Sequence, residues 1–318
     1  MIRIGIVGTS SISERLAGAV HAVDGVALGR VASRDAGRAS EFADRIGAAG
    51  TAVGLEALLA SGDVDAVYLA SPNAVHAAQV RTAVDAGIPV LVEKPATLSA
   101  PEWDDLVGPA RERGVVLLEA MRTAYDPGIR AIQAVLPRVG RVRRISFRYE
   151  KRSARYDHVL AGKQTNIFDP SLGGSALRDL GVYPLHALVQ LFGAPSSITG
   201  ARVDIASGTD GLGSAIAEYD DFVADVAWSK ITDTALPSEI QGEDASLTID
   251  AIDAPRHLVL APRGGAVETI EVEAPENPMI GEVERFRDAI RGADVTTDQD
   301  RTAQTLRLVD TLLRPPRG

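Results

Sequence analysis

Three residues in this 318-residue chain have side chains that could pass one proton among them: Lys94, Asp179 and Tyr183. Lys94 lies in Glu93-Lys94-Pro95, directly after the apolar run Ile88-Pro89-Val90-Leu91-Val92, so it falls at a strand end. Asp179 and Tyr183 bracket Asp179-Leu180-Gly181-Val182-Tyr183, part of a helical pattern that opens after Gly173-Gly174. Residues four and seven apart share a helix face, so Asp179, Tyr183 and His186 form one polar stripe. Leu177, Leu180, Leu188 and Leu191 take the other side, which is assigned to the core. Such a set suits proton exchange at a hydroxyl beside a hydride transfer. Tyr183 would exchange the proton, Lys94 would lower the tyrosine pKa or polarise the oxygen directly, and Asp179 would orient lysine and substrate. Arg122, Tyr156 and His186 are further candidates for substrate contact. Each residue also has a plainer reading, Lys94 as the ion-pair partner of Glu93 and Tyr183 on an ordinary amphipathic surface. Of 33 basic residues only Lys94, Lys151, Lys163 and Lys230 are lysines. A lysine kept at a strand end hints at a role guanidinium cannot fill, because the ammonium is compact and shifts its pKa when buried.

The elements that must position these residues fall into two domains, 1–121 and 122–318. Over 1–121 strand and helix patterns alternate, as in a doubly wound parallel sheet wrapped by helices. Strands are expected at Ile2–Val7, Val26–Ala32, Ala66–Ala70, Val90–Val92 and Val115–Leu118, with amphipathic helices at Arg38–Ile46, Val75–Ala86 and Pro101–Arg113. After Met121 the pattern becomes α+β with a large, mostly antiparallel sheet. A helix at Pro127–Leu136 leads into an alternating run, Val142–Tyr149, then a polar stretch to Leu172 and a long helix from Ser175 to Phe192. Strand-like runs follow at Ile198–Ile205, Ser214–Glu218, Phe222–Trp228, Leu247–Ile249, His257–Leu260 and Glu268–Val272. Two closing helices, Gly281–Arg291 and Asp300–Leu313, are expected to pack back near the first domain.

A dinucleotide site is expected where the first strand ends, at Gly8-Thr9-Ser10-Ser11-Ile12-Ser13. Only the first glycine of a G-x-G-x-x-G fingerprint is present, with Ser10 and Ser13 in place of the second and third. Helix N-terminal amides and serine hydroxyls can still hold phosphate. The plainer reading is a strand-to-helix turn with serine N-caps. At the end of the second strand stand Ser33 and Arg34, with Arg38 one turn on. These suit the 2′-phosphate of NADP(H) better than the ribose diol of NAD(H), which calls for a carboxylate. Arg34 could equally be a solvated charge beside Asp35. Ser71, Asn73 and His76 follow the next strand and are placed to line the cofactor crevice together with Glu93 and Lys94, although His76 also fits a helix surface.

Composition narrows the function classes. A net charge of −10 disfavours nucleic-acid and anionic-membrane partners. The absence of cysteine excludes disulfides, thiolate nucleophiles and cysteine-ligated zinc. His21, His158 and His257 show no metal-ligand spacing, so no metal is expected, and no serine sits in a G-x-S-x-G elbow. With no secretory leader read at Met1 and no run of ~20 apolar residues, a cytoplasmic enzyme is the simplest expectation.

Taken together, the motifs resemble the glucose–fructose oxidoreductase/inositol dehydrogenase/MocA (Gfo/Idh/MocA) family essentially end to end. The resemblance rests on Gly5–Ser13, Ser71-Pro72-Asn73 with His76, Glu93-Lys94-Pro95, Glu119-Ala120-Met121, the stretch Gly173–Tyr183 and the closing helices. It implies an N-terminal Rossmann domain and a C-terminal domain whose open sheet often mediates assembly, here a homodimer or homotetramer. It further implies oxidation of a secondary hydroxyl of a sugar, polyol or related diol, or reduction of the matching ketone, with NAD(P). Lys94 and Asp179 match the family's catalytic lysine and aspartate, and Tyr183 stands where many members carry histidine. The alternative on the same fold is a non-catalytic nucleotide or sugar sensor, which the substituted glycine loop permits.

Overall fold

The apolar runs of the N-terminal part become a six-stranded parallel sheet in the computed structural model, which describes residues 1–314. In chain order these elements are β1 (Ile2–Val7), α1 (Ser11–Ala22), β2 (Val26–Ser33), α2 (Ala36–Ile46), β3 (Gly50–Val53), α3 (Leu55–Ala60), β4 (Ala66–Leu69), α4 (His76–Asp85), β5 (Val90–Glu93), α5 (Ala100–Glu112) and β6 (Leu117–Ala120). The sheet order is β3-β2-β1-β4-β5-β6. The winding therefore reverses between β1 and β4, and ligands of such sheets bind beyond the strands' carboxyl ends at that point. β4 and β5 are buried on both faces, which is why their sequences, Ala66-Val67-Tyr68-Leu69 and Val90-Leu91-Val92, read as continuous apolar runs. The edge strand β3 and the short α3 were not expected from the sequence. Gly50-Thr51-Ala52-Val53 is only partly buried, so it carries no strong apolar signal.

The rest of the chain builds a second unit from α6 (Pro127–Val135), β7 (Val142–Glu150), α7 (Tyr156–Leu160), α8 (Val182–Phe192), β8 (Ser197–Asp204), β9 (Asp210–Glu218), β10 (Val223–Ser229), β11 (Ser238–Gly242), β12 (Ala245–Ile249), β13 (His257–Pro262) and β14 (Glu268–Glu271). The sheet order is β14-β13-β12-β11-β7-β10-β9-β8, and its neighbouring strands pair antiparallel except β7 and β10, which run parallel. One face alternates inward along Ile145, Phe147, Ala215, Ala217, Ala224, Val226 and Trp228, and joins Leu185 and Leu188 of α8 in one core. β11 escaped the sequence reading because Ser-Glu-Ile-Gln-Gly holds a single aliphatic residue.

The chain then returns to the first unit. Compact unit one comprises Met1–Arg122 and Pro275–Ala303, and unit two comprises Thr123–Ala274 with the chain from Gln304 on. α9 (Ile280–Ile290) places Val283, Phe286 and Ala289 in the core that also holds Leu16 and Val20 of α1. α10 (Thr296–Leu313) begins in unit one, where the Gln299 amide donates to the Leu117 carbonyl at 3.0 Å, and ends in unit two, where Val309 joins the core.

Candidate active site

In the first unit the nucleotide turn is shaped by Gly8. Its φ is +110°, and a Cβ there would stand 2.6 Å from the Ala70 carbonyl oxygen, so no other residue fits. Ser10 needs no glycine: its backbone is extended (φ −90°, ψ 170°), and its hydroxyl lies 3.3 Å from that of the buried Ser13. The serine substitutions therefore leave the turn unstrained. Ser10 does not cap α1 with its side chain, and the first-turn amides of this helix are the groups that suit a pyrophosphate. Thr9, Ser10, Ser11 and Ile12 are half-buried or exposed around it. At the end of β2, Ser33 is half-buried while Arg34 and Arg38 are exposed. The Asp35 carboxylate caps α2, accepting from the Arg38 amide at 3.0 Å.

Lys94 follows β5 on a tightly held backbone. Glu93 is buried and accepts from the Tyr68 hydroxyl at 2.5 Å and from the Lys94 amide at 3.1 Å. The next peptide, Lys94–Pro95, is cis. The Pro95 carbonyl lies 3.0 Å from His76 Nδ1, and the Ser71 carbonyl lies 2.9 Å from His76 Nε2. His76 is thus fully buried and clamps two loops, rather than lying on a helix surface. Burial lowers its pKa, and the charge on Lys94 acts in the same direction. Ser71 donates to Gln79 at 2.5 Å, and Asn73 opens a 3₁₀ turn ahead of α4. Glu119 accepts from the Ala96 amide at 2.9 Å and from Thr302 at 3.1 Å. Burial pushes its carboxyl up to about 7. Burial also raises Glu93, against the Tyr68 hydrogen bond and the charges of Lys94 and Arg122, and raises Glu282 well above the usual carboxylate range. Neither Glu282 oxygen has a hydrogen-bond partner among the described residues. Glu93 thus feels both Lys94 and Arg122, Glu119 feels Lys94, and Glu282 feels Arg122.

In the second unit the helix ahead of Tyr183 starts as a π-helical turn, Leu177–Gly181, that continues into α8. Its N-terminus is capped from a distance by the buried Asp210. That carboxylate accepts from Ser175 Oγ at 2.5 Å and from the amides of Ala176 and Leu177 at 3.1 and 2.8 Å. Gly181 lets the turn rest on Trp228, where a Cβ would meet the indole at 3.0 Å. The wider π register changes the expected stripe. Tyr183 and His186 are buried (7% and 2% exposed), and Leu180 is only half-buried. The simple helical wheel fails because α8 is buried on every face from Val182 to Val189, after a π turn that adds a residue ahead of it. Tyr183 packs edge-on against Tyr149 with centroids 5.5 Å apart. Asp179 remains 38% exposed and pairs with Lys230, Nζ to Oδ2 2.7 Å. Tyr156 lies 6.0 Å from Phe168 and beneath the Arg152 guanidinium.

Within each unit the structure gathers several expected residues. Gly8–Ile12, Ser71, Asn73 and His76 collect at the carboxyl ends of β1 and β4, and Glu93 and Lys94 at the end of β5. Asp179, Tyr183 and His186 share one helix with a π-helical first turn. Sequence reasoning did not single out Lys230, Asp210, Glu119 or Glu282, which are buried beside these residues or the elements that carry them. Lys230 had a signal, being one of four lysines in an arginine-rich chain; Lys151 and Lys163 are exposed, whereas Lys230 is buried.

Comparison with known proteins gives the geometry a family. Residues 2–121 match an oxidoreductase family with an NAD-binding Rossmann fold, and residues 136–248 match the GFO/IDH/MocA C-terminal domain. The chain belongs to the Gfo/Idh/MocA family. It is 37% identical over 306 residues to the scyllo-inositol 2-dehydrogenase (NADP(+)) IolU of Bacillus subtilis, covering 96% of this chain and 93% of that one. It is 32% identical to a D-xylose 1-dehydrogenase (NADP(+)) of Haloferax volcanii, covering 97% and 95% of the two chains. A 3-ketoreductase from Actinomadura kijaniata, solved with NADP and TDP-benzene, superposes with a TM-score of 0.87 at 25% identity over 98% of this chain and 96% of that one. This Gfo/Idh/MocA member is an oxidoreductase with a Rossmann-type nucleotide unit, and the sensor alternative is set aside. Among the described residues no helix is long and apolar enough to cross a membrane, and no His/Cys/Asp/Glu group has the makings of a metal site.

Proposed function

We propose that this enzyme interconverts a secondary hydroxyl and a ketone on a sugar or polyol, using NADP(H) in preference to NAD(H). The observation that carries the reading is Lys94 at the carboxyl end of β5, held by Glu93 and followed by a loop that His76 and Glu119 fix. The similarity to NADP-dependent sugar and inositol dehydrogenases along nearly the whole chain supports it.

The nicotinamide, when bound, supplies or accepts the hydride. The chain's own residues handle the proton and the charge. In the reducing direction the Tyr183 phenol gives its proton to the carbonyl oxygen as hydride reaches the carbon; in the oxidising direction the phenolate takes it back. Lys94 stabilises negative charge on that oxygen, and Asp179 orients the hydroxyl. Arg122, Tyr156 and His186 are proposed to contact the remaining hydroxyls. NADP preference is supported at the end of β2, where Arg34 and Arg38 are exposed and the nearest carboxylate, Asp35, caps α2 instead of awaiting a ribose diol.

Turnover of scyllo-inositol and of D-xylose with NADP+ and with NAD+ tests the proposal. NADPH formation should exceed NADH formation with at least one of the two substrates. Replacing Arg34 with Ala should raise KM for NADP+ about 10–100-fold, the loss of a charge-assisted hydrogen bond, with little change for NAD+. Equal effects on both nucleotides would remove the 2′-phosphate role from Arg34.

A further inference from the structure

Lys230 is nearly inaccessible, with 2% of its side chain exposed, yet it carries an ammonium at the end of β10. A charge taken out of water needs matched partners, or it destabilises the fold by several kcal/mol. Three surround it. Asp179 Oδ2 lies 2.7 Å from Nζ, the Ile167 carbonyl accepts at 3.2 Å, and the Phe168 ring centre lies 4.6 Å away. The backbone is fixed as well, with the Lys230 amide donating to Gly211 at 2.9 Å and its carbonyl accepting from Ser153 at 2.8 Å. The pair is asymmetric: the lysine is sealed, while 38% of the Asp179 side chain is open.

That asymmetry is what a carboxylate presented to a substrate requires. Asp179 stands in a π-helical turn, a feature frequent at functional sites. From its buried side Lys230 bonds one oxygen of that carboxylate. The same ammonium reaches the 166–168 turn of the irregular segment after β7, which Gly174 allows to pass close to the helix start. Arginine would not serve, because a planar guanidinium does not fill the space of an ammonium set between a ring face, a carbonyl and a carboxylate. This explains why the chain retains one of its few lysines here.

We propose that Lys230 is the positioning residue for Asp179, holding its carboxylate in the working orientation and locking it to the Ile167–Phe168 turn. The proposal rests on the reading of Asp179 as part of the proton machinery. The test is a double-mutant cycle of Lys230→Met, Asp179→Asn and the pair, measured on scyllo-inositol and D-xylose with NADP+. Lys230→Met should lower kcat about 10–100-fold, the scale of a misplaced catalytic group, while leaving KM for NADP+ unchanged. In the Asp179→Asn background the same change should add less than about a threefold further loss, since interacting residues are non-additive. The double variant buries no unpaired charge and should fold. Should Lys230→Met be unstable, Lys230→Gln, which keeps a donor for Ile167, runs the same cycle. Equal losses in both backgrounds, or an unchanged kcat in a folded Lys230 variant, would overturn the positioning role. Wild-type turnover by Asp179→Asn would instead remove Asp179 from the chemistry, and the proposal with it.

Discussion

Glu93, Glu119 and Glu282 crowd three carboxyl groups into the interior of the first unit near Lys94 and Arg122. Burial raises all three, because the desolvation of a carboxylate outweighs the hydrogen bonds that Tyr68, Ala96 and Thr302 give. Glu119, raised from an ordinary 4.5 to about 7, makes this measurable. Below pH 4.5 it is protonated in both the folded and unfolded chain. Between 4.5 and 7 the unfolded chain ionises first, so stability falls as pH rises, by on the order of 3 kcal/mol in all. Glu119→Gln, which mimics the protonated acid, should flatten that decline in urea titrations from pH 4.5 to 7, and an unchanged slope would mean Glu119 is ionised when folded. None of these environments was legible in the sequence. Lys94, Asp179 and Tyr183 stood out through motif and spacing, but Lys230 and Asp210 reach their partners across about 30–60 residues of chain, and local pattern carries no such information.

At the level of elements, strands buried on both faces and amphipathic helices were readable within a few residues, and weak edge strands such as Gly50–Val53 were not. The π turn at Leu177–Gly181 was also beyond reach. It lies between Asp210, which caps the helix start, and Trp228, against which Gly181 rests, both tertiary contacts. Gly174 belongs to the same construction. A Cβ there would lie 2.7 and 2.8 Å from Asp169 N and O and 2.9 Å from the Ile167 carbonyl carbon, all backbone atoms. Gly174→Ala should therefore destabilise by about 1–3 kcal/mol and displace the 167–169 turn. Because Ile167 holds Lys230, kcat should fall with stability, as denaturant unfolding and steady-state rates on the same sample would show. A variant of full stability and activity would mean that the turn relaxes freely.

For the whole molecule, the sequence divided the chain near Met121, and the structure has its first unit end at Arg122 and resume at Pro275–Ala303. The amphipathic pattern of α9 announces a buried face without naming what covers it. Only the packing of Val283 and Phe286 with the α1 core assigns it to the nucleotide unit. Family membership makes the chain an oxidoreductase, and the proposed mechanism turns on proton transfer through Tyr183. Tyr183→Phe, assayed for NADPH formation from scyllo-inositol or D-xylose and for NADPH binding by fluorescence, tests this most directly. Turnover should fall about 10²–10⁴-fold with binding unchanged. Wild-type turnover in the folded variant would contradict it.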